Sequence, residues 1–367
     1  MRTLLIALIY LTSFSLLAVG QNKIPQQDPY AEGKEIIAGL GKIVNPNGIQ
    51  ESYKVKIGGI NQWVTVRGQS RNNPVIIFVH GGPASPMTPL IWTFQRPVEE
   101  YFTVVNYDQR GSGKTYLEIS PDSIRNSIKI ENYVRDAIEL AEFVKKHYQV
   151  KKVILIGHSW GTIIGMKAAL TRPDLFYAYV GIGQIINTRD NERLSVEYAI
   201  SQAVKFKNDT ALKELKSISP YPGNLPVTRP RIILARKWAQ YYGGLSAFTA
   251  DFRYYFNAPL LSPEYNEKEV SAINKGSMLT LGNVLPEFLE VDFKNIQRFP
   301  IPVFMFMGRY DYTTPSVPTE IWLSKIQAPV KKGIWFENSA HLIPFEEPGK
   351  MLVTLLQYVR PLAEDSK

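Results

Sequence analysis

The chain has 367 residues, 45% hydrophobic and 20% charged, a composition that fits a globular protein with a full hydrophobic core. Cysteine is absent, which excludes disulfides, thiolate metal sites and a cysteine nucleophile. The net charge of +9 is spread over separated Lys/Arg pairs such as Lys145-Lys146 and Lys331-Lys332, so it favours solubility and argues against nucleic-acid binding.

The first twenty residues read as a signal peptide. Arg2 supplies the positive end, Leu4 to Leu17 an apolar stretch, and Ala18-Val19-Gly20 small residues before a cleavage point at Gln21. The apolar run is shorter than a comfortable membrane span, so export with no stable span after cleavage is expected. An uncleaved N-terminal anchor is the alternative. Residues 21–50, with Pro25, Pro29 and Pro46, read as a loosely structured lead-in.

Two alternating runs, "YKVKI" and "INQWVTVRG", meet at Gly58-Gly59 and predict a β-hairpin. After it come continuous apolar runs ending in glycine or polar residues: "PVIIFVHGG" (74–82), "FTVVNYDQRGSG" (102–113) and "KKVILIGHSWG" (151–161). Such runs suit strands buried on both faces. Between the last two, residues 130–148 carry Tyr133, Val134, Ala137, Ile138, Ala141 and Val144 at the spacing of an amphipathic helix. Strand-like runs return at 176–184, 301–311 and 331–341, with helical stretches near 315–327 and 348–362. The alternation predicts an α/β fold with a mostly parallel sheet covered by helices, its strand C-termini along one edge. Residues 187–297 break the rhythm with helical and aromatic stretches and predict a cap inserted over that edge, leaving 51–186 and 298–367 as the core.

The residues suited to chemistry fall at those strand ends. Gly157, Ser159 and Gly161 satisfy G-x-S-x-G between "VILI" and "TIIGMKAAL", the strand-turn-helix setting of a nucleophile elbow. A serine needs a base, and the chain has four histidines. His158 neighbours the serine and should point away from it; His80 shapes the loop after its strand; His147 sits on the polar end of a helix. His341, after the last strand, is the remaining base. Asp311 lies between Ser159 and His341 in the order Ser…Asp…His and is the expected orienting carboxylate, with Asp108 its rival. "DQRGSG" reads instead as a loop tied down by Asp108 and Arg110. The backbone N–H groups of Trp160 and Gly82, with Gly81 the near alternative, are the expected oxyanion donors. Four scattered histidines and no cysteine give no metal-ligand spacing.

Together "HGGP" (80–83), "DQRGSGKT" (108–115), "GHSWGT" (157–162), "GRYD" (308–311) and "SAH" (339–341) resemble the α/β-hydrolase superfamily, and within it the proline iminopeptidase (prolyl aminopeptidase) family. The resemblance covers roughly residues 50 to 362. It implies an eight-stranded sheet, a helical cap, no cofactor, and release of an N-terminal residue, often proline, through an acyl-enzyme at Ser159. Two departures stand out. Ala84 replaces the last glycine of "HGGPG", and Tyr242 falls where a cap glutamate would hold the substrate's α-ammonium. Asp251, Glu287, Glu290 and Asp292 are candidate substitutes for that carboxylate. The expected substrate is a small peptide or amide; an ester with an apolar acyl or aryl group is the alternative. A binding protein that keeps the fold without catalysis is a further one, and epoxide hydrolase or dehalogenase chemistry is disfavoured by serine at the nucleophile position.

Overall fold

The computed structural model describes residues 28–223, 227–247 and 253–364. The expected signal peptide and Asp251 lie outside them. Eight strands form one sheet: β1 (Ile49–Ile57), β2 (Ile60–Gly68), β3 (Val75–Val79), β4 (Thr103–Tyr107), β5 (Val153–His158), β6 (Phe176–Ile182), β7 (Val303–Gly308) and β8 (Lys331–Phe336). Their order is β1-β2-β4-β3-β5-β6-β7-β8, antiparallel for β1-β2 and β2-β4 and parallel from β4 to β8.

The hairpin turns at Gly58 and Gly59, whose φ values of 56° and 80° are the left-handed conformations a two-residue hairpin loop requires. The apolar runs are continuous because alternate residues enter two cores. Val75, Ile77 and Val79 of β3 pack with the helices Ile130–His147 and Trp160–Thr171 on one face. Ile76 and Phe78 pack with Leu90, Phe94, Met351 and Val359 on the other. Period-two alternation therefore occurs within the strands, but both of its phases are apolar.

The described part of the lead-in, from Asp28 onward, is more ordered than its composition suggests. It holds a helix, Ala31–Gly41, with none of its residues buried, and Gly33 packs against Leu261. Between β6 and β7 the chain forms mainly helices, among them Thr188–Lys205, Asp209–Ser217, Arg229–Ala239 and the 23-residue Glu267–Leu289, which opens with a capping box at Asn266. Among the described residues no helix is long and apolar enough to cross a membrane.

Register places the functional residues. Val79 pairs with Gly157, His158 with Ile182, Ile182 with Phe306, and Gly308 with Phe336, so β3, β5, β6, β7 and β8 end at one level. β3 is followed in sequence by its neighbour β4 on one side, while β5 begins the march to the other side. That reversal opens a crevice beyond the strand ends, where sheets of this kind bind ligands.

Candidate active site

Ser159 follows β5 directly and precedes the helix Trp160–Thr171. Its φ of 55° and ψ of −123° are costly for a residue with a side chain, and the flanking glycines show why the turn persists. A Cβ on Gly161 would lie 2.1 Å from the carbonyl oxygen of Val79 and 2.7 Å from that of His80. One on Gly157 would lie 2.7 Å from the Gly161 carbonyl oxygen and 2.9 Å from Thr162 Cα. The backbones of β3, β5 and the helix are thus too close for any other residue. The Ser159 N–H donates to the Ile182 carbonyl at 2.9 Å, which ties the turn to β6.

Asp311 and His341 come together from the ends of β7 and β8. His341 Nδ1 lies 2.9 Å from Asp311 Oδ2, with both residues buried. Thr314 completes the arrangement, its N–H donating to Asp311 Oδ1 at 2.7 Å and its hydroxyl to Oδ2 at 2.9 Å. The same hydroxyl is 3.0 Å from His341 Nδ1. Thr314 was not singled out from the sequence, although a threonine three residues after an aspartate is a familiar side-chain-to-backbone pattern. Gly183, just past β6, borders the pair: a Cβ there would lie 2.9 Å from His341 Cε1.

The other histidines are engaged elsewhere. His80 is fully buried, and its Nε2 accepts the Gln109 N–H at 3.2 Å while its Nδ1 donates to the Gly81 carbonyl at 2.9 Å. Burial lowers its pKa to about 4, so it is neutral at ordinary pH. His147 is exposed and stacks on Phe143. His158 is less detached than expected. Its Nε2 donates to the His341 carbonyl at 3.1 Å and its ring centroid lies 4.9 Å from that of His341. Burial, with His341 beside it, lowers its pKa to about 3. It supports the backbone of His341 as a neutral group.

Gly81 packs on the serine, since a Cβ there would lie 3.0 Å from Ser159 Cβ, and Gly82 is the exposed glycine of that loop, with φ 121°. Trp160 begins its helix, so its N–H has no partner within that helix. Gln109, which the sequence places at the end of β4 without a role, joins the two sides: its Nε2 donates to the His80 carbonyl at 3.0 Å and its Oε1 accepts the Trp160 indole N–H at 3.3 Å. Ala84 sits at φ 58°, the left-handed region that favours glycine, at a fully buried position.

The loop after β4 is anchored as its sequence suggested. Arg110 makes a buried bidentate pair with Asp136, both bonds 2.6 Å long. Asp108 Oδ2 accepts the Lys114 N–H at 2.7 Å and the Tyr265 hydroxyl, while its Oδ1 makes no hydrogen bond of good geometry. Burial raises its pKa to about 6. Asp108 makes no contact of this kind with His341.

In the insertion, Tyr242 stacks between Phe206 and Trp238, and its carbonyl accepts the Tyr198 hydroxyl at 2.5 Å. Glu287, Glu290 and Asp292 are exposed; Glu287 caps Ile130, Glu290 pairs with Arg189 and Asp292 with Lys294. Glu192 is the one buried acidic side chain of the insertion among the described residues, and sequence reasoning passed over it. Its oxygens accept Arg236 at 2.7 Å and the Tyr221 hydroxyl at 2.6 Å. Among the described residues no group of three or more histidines and carboxylates is placed to hold a metal ion.

Comparison with known proteins places this arrangement in context. Residues 76–354 match the model of the alpha/beta hydrolase family. The chain is 28% identical to the probable aminopeptidase YbaC of Bacillus subtilis (strain 168) over 312 residues, 84% of this chain and 95% of that protein. The crystal structure of a proline iminopeptidase from Mycobacterium smegmatis has a similar fold, with a TM-score of 0.57 at 16% identity over 86% of this chain and all of that one. The epoxide hydrolase CorEH is also similar in fold, with a TM-score of 0.51 at 21% identity over 86% of this chain and all of that one.

Proposed function

Since the chain belongs to the alpha/beta hydrolase family, we propose that it is a serine hydrolase that releases N-terminal residues from small peptides or amino-acid amides, in the manner of a proline iminopeptidase. The hydrogen bond of 2.9 Å between Asp311 and His341, at the sheet edge where Ser159 sits on its strained turn, carries the reading. Asp311 accepts Nδ1–H and so keeps His341 Nε2 as the free basic nitrogen. His341 removes the proton of Ser159 Oγ as it attacks the scissile carbonyl. The N–H groups of Trp160 and Gly82, with the positive end of the helix behind Trp160, stabilise the oxyanion. Collapse expels the amine, which takes the proton from His341. Water, deprotonated by the same imidazole, then hydrolyses the acyl-enzyme and frees Ser159. The insertion between β6 and β7 covers the crevice as a cap. The 28% identity to a probable aminopeptidase along nearly its full length supports the peptidase reading.

A second reading, an esterase or amidase for substrates without a free amine, is favoured by the cap. Glu192 is already neutralised by Arg236, and Tyr242 stands where a glutamate was expected. An ammonium held in a closed pocket without a carboxylate would be poorly bound. Turnover of a panel of aminoacyl arylamides against p-nitrophenyl esters distinguishes the two. Ester turnover with no arylamide cleavage rejects the peptidase reading. Failure of folded protein to label at Ser159 with a fluorophosphonate rejects both and leaves a binding role. Export with cleavage before Gln21 belongs to the same proposal, and an intact mass that retains residues 1–20 would rule it out.

A further inference from the structure

The loop that delivers His341 is held largely from outside itself. The Ala340 N–H donates to Glu346 Oε2 at 2.8 Å, and the His341 N–H donates to the Leu245 carbonyl, in the insertion, at 3.0 Å. Two residues further back, the Asn338 N–H and the Ser339 hydroxyl donate to Glu347 Oε2 at 3.0 and 2.8 Å. The other oxygen of Glu346 faces the insertion, where it accepts the Ala247 N–H at 2.6 Å and the Ser246 hydroxyl at 3.0 Å. One carboxylate therefore joins the residue before His341 to segment 244–247.

That segment also reaches the carboxylate side of the pair. The Gly244 carbonyl accepts the N–H groups of Tyr312 and Thr313 at 3.1 and 3.0 Å and the Thr313 hydroxyl at 3.0 Å. Tyr312 and Thr313 directly follow Asp311. Segment 244–247 is thus bonded to the loops of both Asp311 and His341, and Glu346 closes the ring. We propose that Glu346 is a positioning residue that couples the seating of the insertion to the alignment of His341 with Asp311, and that its negative charge supports the protonated imidazole formed during the reaction. The proposal rests on Ser159 being activated by His341.

The charge argument follows from what faces Glu346. Asp311 is the carboxylate whose charge it feels, Tyr254 reaches it through the Ser246 hydroxyl at 2.9 Å, and Glu347 is turned toward Asn338, Ser339 and Lys350. Burial, with Asp311 adding to it, raises the Glu346 pKa above the usual carboxylate value. A positive charge forming on His341, which Asp311 holds at 2.9 Å and whose preceding N–H Glu346 accepts, is favoured by both carboxylates. Glu346→Gln removes one charge and can offer a carbonyl oxygen to only one side, because its other end is an N–H donor facing N–H donors.

The test is the rate of fluorophosphonate labelling of Ser159 against pH, with thermal melts of each variant. If wild-type Ser159 fails to label, the hydrolase reading itself has failed, and the proposal falls with it. If wild type labels, Glu346→Gln should label more slowly by on the order of 10- to 100-fold, the range a misplaced base produces. The acidic limb of its profile should also move to lower pH, since the imidazolium has lost a supporting charge. Glu346→Asp, which keeps the charge but is too short to bridge both sides, should restore the limb while remaining slower than wild type. A folded Glu346→Gln whose acidic limb is unmoved, whatever its melting temperature, overturns the proposal. Should Glu346→Gln fail to fold, wild-type labelling by Glu346→Asp overturns it.

Discussion

Replacing Asp311 by asparagine separates the orienting carboxylate from its rival, and the structure dictates how the amide must sit. Asp311 Oδ1 accepts the backbone N–H of Thr314 at 2.7 Å, so the amide oxygen of asparagine takes that position and the NH2 group takes the place of Oδ2. Oδ2 is the atom that faces His341 Nδ1 at 2.9 Å. An N–H donor there forces Nδ1 to become the acceptor, which puts the proton on Nε2 and leaves no base for Ser159. The Thr314 hydroxyl can rotate and accept, so the fold should survive. The expected loss in turnover is about 10³–10⁴-fold, equivalent to about 4–5.5 kcal/mol of barrier. Steady-state turnover of a p-nitrophenyl ester and a thermal melt, with Asp108→Asn alongside, form the assay. Asp108→Asn should stay within about tenfold of wild type, because its carboxylate bonds to Lys114 and Tyr265 and leaves His341 alone. A folded Asp311→Asn that keeps a tenth or more of wild-type turnover, with Asp108→Asn inactive, would refute the assignment.

Asp108→Asn should also change stability in a pH-dependent way. The folded pKa of about 6 stands above the ordinary aspartate value, so this group stabilises the fold below that ordinary value and loses the contribution as pH rises through about 6. The variant should therefore be more stable than wild type by about 1–3 kcal/mol near pH 8, as measured by urea unfolding. An equal advantage at pH 4 would contradict this. Gly161→Ala places a methyl group against the carbonyls of Val79 and His80 and should cost about 1–3 kcal/mol while slowing fluorophosphonate labelling. Unchanged labelling would mean the turn tolerates a wider spacing than its backbone contacts suggest. Asp136→Ala leaves Arg110 buried and unpaired and should lower unfolding free energy by about 3–5 kcal/mol, a drop below 1 kcal/mol arguing against an intact ion pair in solution.

The sheet was legible because its physics is local. A strand buried on both faces has to be apolar throughout, and the runs at 74–82, 102–113 and 151–161 contain β3, β4 and β5. The elbow was legible for a similar reason, since glycines at 157 and 161 answer to backbone atoms a few ångströms away. Asp311 and His341 could be assigned by strand position, and they meet because β7 and β8 pair in register. The lead-in misled because its prolines and glycines mask an 11-residue helix that buries no residue and so leaves no periodic signature.

The insertion obeys a different logic. Its segments contact residues far along the chain, as when Leu245 meets His341 or Tyr198 stacks on Tyr312 at 3.6 Å. Glu192 looks like any helix-surface glutamate in sequence, and only the approach of Arg236 and Tyr221 from other segments makes it a buried, neutralised group. Glu346 is equally ordinary until the fold turns one oxygen toward Ala340 and the other toward Ala247. The placement of residues at the strand ends can therefore be inferred from short motifs. The placement of residues in the insertion depends on pairings with no fixed spacing, and charge alone is a poor guide to it. A carboxylate already paired with an arginine has less charge left to offer an amine. If the insertion selects the substrate as proposed, Glu192, held by Arg236 and Tyr221, lacks that free charge, which favours the esterase reading over the peptidase one.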